Sequence, residues 1–161
     1  MKLSIVIPVG PLDSAPIDLI GAIASQLPAA EILLCTGSTH AASVSGVTPI
    51  RGVTVVSGPD GRAHQMGGGA RSATGDVLWF LHADSQLTPS TIPQMIRCLE
   101  KDPGCLWFCR LGFQPDGPRL MWVTTWGVRL RSEILKIPFG DQGFALSHKT
   151  FIRLGGFDPA L

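Results

Sequence analysis

A chain of 161 residues is long enough for one domain with a buried core and too short for two comfortable ones. Hydrophobic residues make up 45% and charged residues 16%, which excludes the composition of a disordered chain. The formal net charge is +1, with 13 Lys and Arg scattered rather than blocked, so the chain carries no electrostatic footprint for nucleic acid.

Leu3 to Ile7 reads as a first strand, because Pro8 interrupts the apolar run and no small-residue cleavage site follows it. Ile17, Leu19, Ile20, Ile23, Ala24 and Leu27 then recur at helical spacing until Pro28 stops the pattern. Glu31 to Cys35 and Val53 to Val56 read as the second and third strands, separated by the small-residue stretch Thr36 to Val47, a loop with one helical turn. Arg62 to Thr74 reads as helical at its end, after a glycine-rich start. Val77 to Leu81 is a short continuous apolar run bounded by Gly75-Asp76, the pattern of a central buried strand. Thr88-Pro89 opens the next helix, since Thr caps and Pro is tolerated in the first turn, and that helix runs to about Lys101. Leu106 to Phe113 alternates like a strand, and Pro118 to Ile137 carries a long amphipathic helical pattern. Phe144 to Leu146 leads to a helical turn from Thr150 to Leu154 closed by Gly155-Gly156.

Alternating strand-like and helix-like runs predict an α/β domain built from βαβ units around a largely parallel sheet. No apolar run approaches the roughly 20 residues that span a bilayer. Cys98, Cys105 and Cys109 lack the paired C-x-x-C spacing of a zinc site and Cys35 falls in a strand, so reduced thiols in a cytoplasmic protein are expected.

Three segments carry chemistry. His82-Ala83-Asp84-Ser85 follows the central strand, which brings a carboxylate and an imidazole to the edge where open α/β sheets gather ligands. A hard divalent cation prefers carboxylate oxygens and keeps places for substrate phosphates, so Asp84 is the first candidate ligand. The same residues could instead start a turn or cap the following helix. Gly58-Pro59-Asp60-Gly61-Arg62 leads through His64 and Gln65 into Gly67-Gly68-Gly69, where glycines let backbone N–H groups approach an anion and Arg62 can fork onto phosphate. It spells neither a P-loop nor a Rossmann fingerprint. Pro138 to Phe144 places Asp141-Gln142 between two glycines, either a tight turn or an acid and an amide held for a substrate. His40, His64 and His148 are isolated and read as surface or satisfied positions.

In this order the segments resemble the family 2 glycosyltransferases of GT-A fold, close to a bacterial subgroup with G-R-A-x-Q-M, G-D-V-L-x-F-L-H-A-D, G-D-Q-G and L-G-G-F motifs. The matches are Gly61-Arg62-Ala63-His64-Gln65-Met66, Gly75 to Asp84, Gly140-Asp141-Gln142-Gly143 and Leu154-Gly155-Gly156-Phe157. The resemblance implies a three-layer GT-A-like domain over 1–161 with a mixed, mainly parallel sheet. It implies inverting transfer of a sugar from a nucleotide-diphosphate donor, with Mg²⁺ or Mn²⁺ held where the family has its D-x-D element. There Asp84 carries over as metal ligand and His82 stands at the first acid. Pro8, Cys35, Gly61, Arg62, Gln65 and Ala83 join Asp84 on the donor side. Gly140, Asp141 and Gln142 fall on the acceptor side, with Asp141 the remaining carboxylate for a general base.

The chain also departs from the family. Cys35-Thr36-Gly37-Ser38-Thr39-His40 replaces a D-G-G-S-T-D-like motif, Gly67 replaces an Asn, and Pro8-Val9-Gly10-Pro11-Leu12-Asp13 replaces P-x-x-N-E. It stops at Leu161, before the Glu-Asp pair and the C-terminal helices of relatives. Two readings therefore stand beside the transferase: a degenerate, non-catalytic GT-A domain that binds a nucleotide or a partner protein, and a nucleotidyltransferase, which would want its Gly-Arg loop right after the first strand. The apolar face of Pro118 to Ile137 predicts a homo-oligomer, or else contact with a membrane surface or a lipid-linked acceptor, unless the helix simply folds back on its own sheet.

Overall fold

The computed structural model describes residues 1–38, 44, 50, 52–109 and 143–158. Within them the chain runs β1 (Leu3–Val9), α1 (Ile17–Gln26), β2 (Glu31–Gly37), β3 (Val53–Gly58), α2 (Arg62–Ser72), β4 (Val77–Phe80), α3 (Thr91–Lys101), β5 (Trp107–Phe108), β6 (Phe144–Ser147) and α4 (His148–Arg153). The six strands form one sheet in the order β3-β2-β1-β4-β6-β5. β1 pairs in parallel with β2 and β4, and β2 with β3, whereas β6 runs antiparallel to both β4 and β5. The sheet is thus mixed and mainly parallel.

Strand alternation sorts the core into two layers. Ile5, Ile7, Ile32, Leu34, Trp79 and Leu81 face one side, where Leu19, Ile20 and Ile23 of α1 and Ile92, Met95 and Leu99 of α3 cover them. Val6, Leu33, Cys35, Leu78 and Phe80 face the other, under Ala70 of α2, Ala73 just beyond it and Phe151 of α4. Phe80, Phe151 and Phe157 close that layer with tilted and edge-on ring contacts at 5.0–5.4 Å between centroids. Both faces are covered, so the central strands are apolar throughout rather than alternating.

Two sequence expectations need correction. α2 is helical from Arg62 onward, so Gly67, Gly68 and Gly69 lie in the middle of a helix rather than before it. Such a glycine run disfavours an isolated helix by roughly 1 kcal/mol per residue, and burial against the sheet overrides that propensity. α3 begins at Thr91, not at Pro89; the Thr91 N–H bonds the Thr88 carbonyl, making Thr88-Pro89 a preceding turn. Of the strand expected over Leu106 to Phe113, Trp107–Phe108 is present and the part from residue 110 lies outside the described residues, as does the amphipathic Pro118 to Ile137. Among the described residues no helix is long and apolar enough to cross a membrane.

A polar cluster locks the amino ends of the central strands. Glu31 accepts hydrogen bonds from Ser4 Oγ at 2.5 Å, the Thr74 N–H at 2.9 Å and Thr74 Oγ1 at 3.0 Å. Gly75 N–H donates to Ser4 Oγ at 2.9 Å, and a Cβ on Gly75 would lie 2.8 Å from Ser4 N and 2.9 Å from Lys2 O. Glycine at 75 therefore lets the α2–β4 connection press directly on β1.

Candidate functional site

The strand order contains a topological switch point. From β1 the chain crosses through α1 to β2 on one side, while from β3 it crosses back through α2 on the opposite face to β4 on the other side. Between the carboxyl ends of β1 and β4 the connections diverge, leaving the crevice in which open α/β sheets bind ligands. The segments that end there are Val9-Gly10 and Leu81 to Asp84.

At the β4 end, the Ser85 N–H donates to the His82 carbonyl at 3.0 Å and the His82 N–H donates to Ser85 Oγ at 3.1 Å. This double link closes a tight turn that leaves His82 buried, Ala83 half-buried against the α1/α3 layer, and the Asp84 carboxylate exposed. The turn reading of Asp84-Ser85 and the ligand reading of Asp84 are thus compatible. At the β1 end, Asp13 Oδ2 accepts the Gly10 N–H at 2.7 Å and holds the loop that follows the strand.

Gln65 is buried and donates from Nε2 to the Val9 carbonyl at 3.1 Å, which fastens the first turn of α2 to the end of β1. Gly61 precedes α2 with φ +111, a left-handed backbone that favours glycine, and no side chain caps the helix start. Arg62 is exposed at that start. Pro8 is buried and sits opposite Cys35 in the β1–β2 register.

Cys35 lies near the carboxyl end of β2. Its side chain points into the layer beneath α2, where a Cβ on Gly69 would lie 2.5 Å from both Cys35 Sγ and Val6 Cγ1. Burial pushes the thiol up to about 12, slightly offset by the Gly69 N–H. The side chain is a packed apolar contact.

Sequence reading also missed a cavity of about 280 Å³ between α2 and the ends of β2 and β3, lined by Thr36, Ser57, Pro59, His64, Gln65 and Arg71, among others. The Thr36 and Ser57 hydroxyls are 3.5 Å apart in it. Arg71 folds back along α2 so that its guanidinium lies within 3.4 Å of where a Gly67 Cβ would be and 3.9 Å from that of Gly68. Beside this cavity the Asp60 carboxylate rests directly on Gly37, in the space a Cβ there would take. The signal for these placements lies in the β2–β3 register, which pairs Thr36 with Ser57 and Gly37 with Gly58.

Gly140, Asp141 and Gln142 lie outside the described residues. Gly143, the last of that motif, has φ +65, and a Cβ on it would lie 3.0 Å from Leu81 Cδ2. Gly143 therefore lies beside the carboxyl end of β4.

Among the described residues no group of three or more His, Cys, Asp or Glu side chains could hold a metal. An exposed single carboxylate fits Mg²⁺ or Mn²⁺ nonetheless, since Mg²⁺ keeps several waters and is typically bound through one or two carboxylates plus substrate phosphates.

The chain matches the model of glycosyl transferase family 2 over residues 20–158, and it belongs to that family. No curated protein matches it in sequence. Among solved structures it is similar to the mannosyltransferase PcManGT from Pyrobaculum calidifontis in complex with GDP-Man and Mn²⁺, with TM-score 0.70 and 18% identity over 98% of this chain and 47% of that one. It is likewise similar to S. aureus TarS in complex with UDP-GlcNAc, with TM-score 0.74 and 14% identity over 99% of this chain and 49% of that one. Glucosyl-3-phosphoglycerate synthase from Mycobacterium tuberculosis, in complex with Mn²⁺, UDP and phosphoglyceric acid, matches with TM-score 0.64 and 16% identity over 92% of this chain and 56% of that one. At these identities the likeness establishes the GT-A-like fold, and the chain spans about half the length of those structures.

Proposed function

We propose that this chain binds a nucleoside-diphosphate sugar at the β1/β4 switch point and transfers the sugar, with inversion, to an acceptor hydroxyl. The observation that carries this reading is the exposed Asp84 carboxylate, presented by the Ser85-closed turn at the carboxyl end of β4. Family membership and structural neighbours in complex with GDP-Man, UDP-GlcNAc or UDP support it. In this reading the acceptor oxygen forms a bond to the anomeric carbon while the bond from that carbon to the diphosphate oxygen breaks. The electron pair leaves on the diphosphate and the hydroxyl proton passes to a carboxylate, for which Asp141 is the assigned base. A divalent cation at Asp84, with His82 behind it in the turn, would neutralise charge on the leaving diphosphate. Arg62, exposed at the start of α2, is assigned to a phosphate oxygen, and Gln65 keeps that helix start against β1.

Isothermal titration of UDP and GDP into the full chain, with and without Mn²⁺, tests the reading. Binding should require the metal, and Asp84→Ala should abolish it without moving the melting transition. Metal-independent binding, or unchanged affinity in Asp84→Ala, would refute it. Metal-dependent binding without turnover of any nucleotide sugar would establish the non-catalytic domain instead.

A further inference from the structure

We infer that the outer edge of β3 is a pairing surface for a second copy of this chain, the two β3 strands meeting antiparallel about a two-fold axis at Val55. β3 ends the sheet and pairs only with β2. The Ile32 N–H of β2 donates to the Gly52 carbonyl at 2.8 Å. A parallel ladder uses alternate residues of each strand, so Thr54 and Val56 also bond β2, while the backbone groups of Val53, Val55 and Ser57 point away from it. The Val53 N–H is taken by the Ile50 carbonyl at 3.1 Å. Among the described residues no backbone group meets the outward N–H and C=O of Val55 and Ser57.

Soluble proteins blunt such edges with proline, charge, a bulge or a very short strand. Val53–Gly58 has none of these: its sequence is VTVVSG, and its register with β2 runs unbroken from Val53 to Gly58. The opposite edge strand, β5, spans only Trp107–Phe108 among the described residues. Rotation about Val55 makes the exposed edge complementary to itself. Val55 exchanges both backbone bonds with Val55 of the second copy, the Ser57 N–H reaches the Val53 carbonyl across the axis, and Thr54 opposes Val56, a β-branched pair suited to a sheet. The charged residues nearest β3 in sequence are Arg51 before it and Asp60 after it, so an antiparallel approach sets unlike charges, not like ones, at each end. A foreign chain would have to bring its own unprotected strand, which a second copy already has, and a two-fold pairing closes on itself. β2 separates β3 from the β1/β4 crevice, so the pairing leaves that crevice open and stands whether or not the chain transfers a sugar.

Sedimentation equilibrium of the full chain from micromolar to millimolar concentration, with amide hydrogen exchange over the same range, tests the pairing. The wild type should dimerise. Val55→Pro removes an outward N–H and no bond to β2, so it should keep the circular dichroism spectrum and weaken dimerisation by about 5- to 150-fold, the loss of the two symmetric bonds at the axis. Val55→Ala, which trims the same side chain and keeps the N–H, should still dimerise. In the wild type, exchange at Val55 and Ser57 should slow as concentration rises, while Thr54 and Val56, bonded to β2, stay protected throughout. A wild type that is monomeric at every concentration would overturn the inference. So would a dimer that Val55→Pro leaves intact, which would place the contact on another surface such as the Pro118 to Ile137 face. Should Val55→Pro fail to fold, exchange decides alone: rates at Val55 and Ser57 that do not depend on concentration would overturn the pairing.

Discussion

The three consecutive glycines of α2 have the same intrinsic cost and different surroundings, so alanine at each should give opposite results. In a helix interior, Gly→Ala stabilises by roughly 0.5–1 kcal/mol through backbone entropy. At Gly68 the nearest atom to the new Cβ is Arg71 Nη2 at 3.9 Å, an ordinary contact, and at Gly67 it is Arg71 Nη1 at 3.4 Å, the far end of a flexible side chain. Both variants should gain the full propensity term. At Gly69 the new Cβ would lie 2.5 Å from Cys35 Sγ and from Val6 Cγ1, both fixed in the core on adjacent strands. Inserting a carbon into so tight a site costs about 1–3 kcal/mol, which exceeds the propensity gain. Gly68→Ala should therefore melt higher than wild type and Gly69→Ala lower; for a chain this size each kcal/mol moves Tm by about 2–4 °C. Cys35→Ala added to Gly69→Ala should recover part of the loss, because Val6 still blocks the remainder. Thermal melts by circular dichroism decide the matter. Gly69→Ala as stable as Gly68→Ala would mean that α2 does not press on β1 and β2 as described.

The thiols and one carboxyl offer two further checks. Alkylation with iodoacetamide at about pH 8 should label exposed Cys105 in the folded chain and spare Cys35 and Cys109, which burial pushes up to about 12 and about 11 and which should react only on unfolding, as peptide mapping would read. Cys105 Sγ donates to Asp102 at 3.0 Å, and that hydrogen bond raises its pKa, so Asp102→Asn should speed its alkylation; a slower rate would refute the contact. For Glu31, partial burial pushes the carboxyl up, but the Ser4 hydroxyl, the Thr74 N–H and hydroxyl and the Lys2 charge outweigh it and hold the pKa below its ordinary 4.5. A depressed carboxyl adds stability above its unfolded-state pKa and loses it as pH falls through the folded-state value. Glu31→Gln should thus lower Tm at neutral pH, and the difference from wild type should shrink in acid; a pH-independent difference would show that the carboxylate charge plays no part.

How much of this was legible in the sequence follows from which interactions are local. β1 and β4 could be read because a strand buried on both faces is a continuous apolar run, and Asp84 because a strand end followed by Asp-Ser fixes both a turn and a carboxylate within four residues. The same continuity hid the parity of β2. With every position from Ile32 to Gly37 buried, nothing in the run shows that Leu33 and Cys35 share one face, the one under α2. The run of glycines in α2 misled for a related reason: glycine disfavours a helix locally, and Gly69 is needed only because Val6 and Cys35, far away in sequence, stand beneath it. Asp60 on Gly37 is likewise a property of register, created when β2 and β3 align Gly37 with Gly58 and the following loop folds back over the strand end. A loop can rest a carboxylate directly on a strand end only where that end is glycine, because the missing Cβ opens the space that the Asp60 carboxylate fills.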